Sequence, residues 1–172
     1  MKTIITNVAL IIIAYVVQFC LFPFIPFLST SPNLMLLLVF SYGFIYGSKK
    51  GMLYGMFAGI LLDLFYSGPM GIYTLIYMWI GYINGMASSY FYEDYVTMPL
   101  ILCIANELVY NLYIYITNYL IRGKTNLLYY MMHIVAPEII FTLLTTLLFY
   151  RLYLMYNKKI DNLDKKRGKE SA

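Results

Sequence analysis

The chain is poor in charge, in histidine and in cysteine, and each scarcity removes a class of function. Only 12% of its 172 residues are charged, too few to cover a soluble body of this size. Its two cysteines, Cys20 and Cys103, lie in separate apolar runs with no Cys or His at a ligand spacing, so no disulfide framework and no zinc site is indicated. There is one histidine, His133. His-Glu-x-x-His, Gly-x-Ser-x-Gly, a P-loop and the dinucleotide-binding glycine pattern are all missing, so catalysis and cofactor binding have little to rest on. The expectation is a protein that is not an enzyme and carries no metal or cofactor.

What is abundant is apolar. Hydrophobic residues make up 62% of the chain and the mean hydropathy is +0.71, which assigns most of it to lipid. The expected fold is all-α, a polytopic membrane protein forming one compact bundle of six transmembrane helices over residues 1–156, followed by a basic tail at 157–172. The apolar runs place the helices at about 4–24, 32–47, 51–66, 72–92, 97–121 and 129–150. The first run ends in Pro23-Phe24-Ile25-Pro26 with no small-residue cleavage site, which reads as an uncleaved anchor. Ser31-Pro32-Asn33 is a helix-start signature. Ser48-Lys49-Lys50 breaks the hydropathy between helices 2 and 3. Both helices are short, but a re-entrant hairpin would put two lysines at mid-membrane depth, at least ~2.5 kcal/mol each, so two crossings are expected. Ser67-Gly68-Pro69-Met70-Gly71 is a turn, and Pro137 should kink helix 6.

Six crossings bring both termini to one side. With the ends in the cytoplasm, Lys2, Lys49, Lys50, Arg151 and the six basic residues from Lys158 to Lys169 lie inside, while Arg122 and Lys124 lie outside. The net charge of +4 is therefore read as a tail beside anionic lipid, with no nucleic acid as partner.

Gly51, Gly55, Gly59 and Asp63 recur every four residues, so one face of helix 3 is nearly without side chains. Gly43 and Gly47 extend the spacing on the preceding helix, and Gly81 and Gly85 form a further pair on helix 4. Such faces let backbones pack closely within a membrane. The spacing leaves open whether this one packs internally, against helix 2, or outward against another chain. Asp63 either hydrogen-bonds the turn Gly68 to Gly71 or the start of helix 4, or receives a donor from a partner. On helix 5, Glu107, Asn111 and Asn118 fall within about 40° of one another, and helix 6 adds His133 and Glu138. Together they suggest an interior polar network. Its plain reading is interhelical hydrogen bonding, and its sharper one a proton relay or substrate cavity. For His133, near the outer end of helix 6, an interfacial place is favoured over a ligand role.

Ser31-Pro32-Asn33-Leu34, the run from Gly47 through Gly55, Gly59 and Asp63 to Leu64, and Gly68-Pro69-Met70-Gly71 together resemble the bacterial rod shape-determining protein family MreD. The resemblance extends over nearly the whole chain and is most specific from Gly55 to Asp63 plus Gly71. Asn33 departs from it, standing where that family commonly has Asp, a change that keeps a helix cap. The resemblance implies a non-catalytic subunit of the cell-elongation machinery in the cytoplasmic membrane. The implied partners are MreC, MreB filaments, the glycosyltransferase RodA and a class B penicillin-binding transpeptidase. It also implies a fold shared with the substrate-binding subunits of energy-coupling vitamin transporters. From that comes the alternative expectation, a small-molecule-binding subunit of a membrane transporter.

Overall fold

The structure is a computed structural model and describes residues 2–24, 31–65, 70–88, 97–120 and 126–148. Gly68, the acidic pair Glu93-Asp94, the turn residues Arg122 to Thr125 and the tail at 157–172 lie outside the described residues. Within them the chain is helical and no strand is present.

Six helices follow in order. α1 spans Lys2–Val16 and continues through a π-helical turn, Val17–Leu21, and a 3₁₀ turn, Phe22–Phe24. α2 is Leu34–Tyr46, α3 is Ser48–Phe65 and α4 is Ile72–Ala87. α5 is Thr97–Ile114, extended by a π-helical segment, Tyr115–Leu120. α6 covers Leu127–Leu148. α6 runs on through Pro137, which has no N–H to give to the carbonyl four residues back. A π-helical turn at Met131–Val135, closed by the Ala136 N–H donating to Met131 O, precedes that proline and absorbs the irregularity.

α2 is the axis of the bundle. Every residue from Met35 to Gly43 is buried, as expected of a helix that is apolar on all sides. At 13 residues it extends only ~20 Å, short of a ~30 Å hydrocarbon core. Because protein surrounds it from Met35 to Gly43, that stretch does not meet lipid. Two of the orphan donors at its start are satisfied by side chains. Asn33 Oδ1 accepts from Leu36 N at 3.2 Å, and Gln18 Oε1 of α1 accepts from Met35 N at 3.0 Å.

Among the described residues, three helices have the length and composition to cross a membrane, Ile4–Leu21, Leu100–Asn118 and Leu127–Leu148, and most of their residues are not buried within the bundle. They form its lipid-facing wall. α3 and α4 turn faces rich in glycine to each other.

The α2–α3 connection differs from the sequence expectation. Ser48, Lys49 and Lys50 are the first turn of α3, and the break is a single residue, Gly47. Its φ of 84° and ψ of 172° lie in a region essentially restricted to glycine. Lysine is a good helix former, and with both lysine side chains exposed nothing prevents the helix from starting before them.

Candidate functional site: the glycine seam and the buried polar cluster

α3 and α4 are antiparallel and the most extensively packed pair in the protein. The glycine ladder is their seam. A Cβ at Gly55 would collide with the carbonyl of Tyr77, one at Gly59 with the backbone of Thr74, and one at Gly51 with Gly81 O and Gly43 Cα. From the other side, Gly81 meets Gly51 and Gly85 meets Ser48, while Gly43 brings α2 against Gly81. The ladder is thus filled from within the chain, chiefly by α4. Helix 2 enters at one end only.

Asp63 closes this seam. Its Oδ1 accepts from Tyr73 N at 3.1 Å, and its Oδ2 accepts from Thr74 N at 3.0 Å and from the Thr74 hydroxyl. Those amides are the second and third of α4, so a carboxylate on one helix caps the N-terminus of the next. The charge sits at the positive end of the helix dipole, where it is stabilising. Gly71 supplies the cap residue, with φ of 100°. An L side chain rarely adopts that conformation.

Asn33 is a second junction, 1% exposed. Beyond capping α2, its Oδ1 accepts from Tyr77 OH of α4 at 3.1 Å, and its backbone N–H donates to Thr142 Oγ1 of α6 at 3.0 Å. One side chain and its amide therefore tie three helices at the same level. Asparagine in place of aspartate keeps the acceptor and avoids a buried charge.

The polar residues of α5 form a cluster beside this junction. Glu107 is 0% exposed. Its Oε2 accepts from Asn111 Nδ2 at 3.1 Å, and Asn111 Oδ1 accepts from Tyr130 OH of α6 at 3.2 Å. Oε1 of Glu107 is buried with no hydrogen-bond partner among the described residues. Glu138 of α6 is half-buried and lies within electrostatic reach of Glu107. Glu107, Asn111 and Glu138 are thus brought together. Asn118 and His133 are not. The π-helical segment at Tyr115–Leu120 widens the turn and changes the angular step between Asn111 and Asn118. His133 is exposed, stacked on Tyr129 with ring centroids 4.2 Å apart, its Nδ1 against Tyr129 O at 3.2 Å.

Sequence reasoning missed several buried polar links. Asn84 of α4 and Asn106 of α5 exchange two amide hydrogen bonds of 2.8 and 2.9 Å. Asn7 of α1 donates to Tyr54 OH of α3 at 3.2 Å. Thr146 of α6 donates to Cys103 Sγ of α5 at 3.4 Å. The available signal was simple: an amide side chain within an apolar run needs a partner, because lipid offers none. Which helix supplies the partner is not written in the run.

Lipid-length outer helices around a buried short axis, with polar groups satisfied between helices, define a polytopic helical membrane protein. The chain belongs to the MreD family: the family model for rod shape-determining protein MreD matches residues 1–160. Its role is accordingly in rod shape determination. Neither a curated protein nor a solved structure gives a match.

Proposed function

We propose that the chain is a non-catalytic integral subunit of the cell-elongation complex that holds MreC, and through it the peptidoglycan synthases, at the cytoplasmic membrane. The observation that carries this reading is the family match over residues 1–160. RodA and a class B penicillin-binding transpeptidase are its further partners, and MreB filaments engage it indirectly. Both termini are cytoplasmic, the orientation favoured by the distribution of lysine and arginine.

Because α4 occupies the glycine ladder, Gly51, Gly55, Gly59, Asp63 and Gly71 act by fixing the α3–α4 pair, and a partner segment docks beside the ladder. The exposed row Leu53, Ile60 and Leu64 of α3 is the docking surface we assign to the MreC transmembrane segment. It shares the helix with the ladder and is rigidly oriented by it. The test is depletion and complementation in a rod-shaped bacterium, reading cell shape, membrane level and co-purified MreC. Ile60→Trp with Leu64→Trp should leave the membrane level normal, lose MreC and round the cells. Gly59→Leu should instead lower the amount of folded protein. Rod growth with normal MreC recovery in the double variant would remove the α3 row from the reading.

A second reading, a small-molecule-binding subunit of a transporter, is favoured by one observation, the unpartnered Oε1 of Glu107 within a polar cluster. Isothermal titration with candidate ligands on the purified protein tests it, and heat abolished by Glu107→Leu is the supporting outcome.

A further inference from the structure

On their outer side, α3 and α4 leave a half-open groove of about 300 Å³ lined by Met52, Met78, Trp79 and Tyr82. That volume is at the lower end of the range for ligand pockets. The lining combines adaptable thioether chains with two amphipathic rings, the residue types that meet lipid near the headgroup level. One end of the groove is electropositive. Ser48 packs against Gly85, so Lys49 stands level with the last turn of α4. Three-residue spacing then places Lys49 on the same side of α3 as Met52. Lys49 is exposed and belongs to the first turn of α3, where the helix dipole adds positive potential. Lys50 is committed elsewhere, its Nζ 5.9 Å from the centre of the Tyr46 ring.

We propose that this groove is a binding site for an anionic phospholipid, with an acyl chain along Met52, Met78 and Trp79 and the phosphate at Lys49 and the first turn of α3. The apolar lining alone would accept any lipid. The lysine at its end selects for negative charge, on the order of fivefold per basic residue near the surface.

Trp79 is the sole tryptophan of the chain, so its fluorescence reports on this groove alone. The full chain is reconstituted in phosphatidylcholine bilayers containing increasing fractions of dibrominated phosphatidylglycerol or dibrominated phosphatidylcholine. Half-maximal quenching should occur at about a fivefold lower fraction of the anionic lipid. Lys49→Ala should bring the two curves together while quenching itself persists. Lys50→Ala should change the ratio less, and Lys165→Ala with Lys166→Ala in the tail should leave it unchanged. Equal quenching by the two lipids in the natural sequence would overturn the proposal, as would absence of quenching by either. So would a preference that survives Lys49→Ala, or one lost equally in the tail variant, which would show a diffuse attraction to the charged surface.

Discussion

Asp63→Ala is the perturbation that tests the α3–α4 junction most directly. It removes three acceptor contacts at once: Tyr73 N, Thr74 N and the Thr74 hydroxyl. Loss of an N-cap side chain costs about 0.5–2 kcal/mol, and a carboxylate at a helix N-terminus contributes up to about 2 kcal/mol in partly buried geometry. Asp63 is 9% exposed, so water replaces it poorly and the combined loss should be about 3 kcal/mol. That is a factor on the order of 100 in the folding equilibrium. Reversible unfolding in mixed micelles, with helicity and Trp79 fluorescence as readouts, measures it. Thr74→Val should cost about 1 kcal/mol, the scale of one hydrogen bond. It should also cost less in the Asp63→Ala background, since its hydroxyl then has no carboxylate to reach. A loss below about 0.5 kcal/mol for Asp63→Ala, or full additivity with Thr74→Val, would refute the cap as a stabilising element. Rounded cells with normal stability would move Asp63 to a direct role in partner contact.

Gly59→Ala is expected to destabilise by about 1–3 kcal/mol, because the added methyl meets the Thr74 backbone, which cannot yield as a flexible side chain would; unchanged unfolding would show that the two helices can separate at no cost. Asn84→Leu and Asn106→Leu should each cost about 1–3 kcal/mol by leaving the surviving buried amide with its own-helix bond only and its oxygen without the cross-helix donor, while the double variant should recover part of that loss; a strictly additive double variant argues against the reciprocal pair. Glu107→Gln should stay within about 1 kcal/mol of the natural protein, since the amide keeps the shape and can still accept from Asn111, whereas Glu107→Leu removes that acceptor and should cost about 1–3 kcal/mol. If Glu107→Gln were the more damaging of the two, the carboxylate would be engaged by a charge or a ligand.

The apolar runs by themselves determined that the chain is helical and lies in a membrane, because lipid leaves every backbone group to be satisfied within its own helix. Four-residue glycine spacing determined that one face of α3 approaches another backbone closely. Cap chemistry was equally local, and Asn33 at the start of α2 was legible for that reason.

Tertiary structure alone decided which backbone fills the ladder, since a bare face looks the same to any neighbour. Only the antiparallel descent of α4 from Gly71 brings Thr74, Tyr77, Gly81 and Gly85 into register with it. For Asp63 the sequence left open the turn, the start of helix 4 and a partner chain, and packing brought it to the Tyr73 and Thr74 amides, ten and eleven residues away. The polar stripe of α5 was legible as far as Asn111, and beyond it a π-helical segment changes the angular step that the stripe assumed. His133 was grouped with the polar cluster in the sequence while an interfacial place was favoured for it, and it is exposed. A histidine in an apolar run can turn to either side of its helix, and only the packing of α6 against the cluster fixed the outward one.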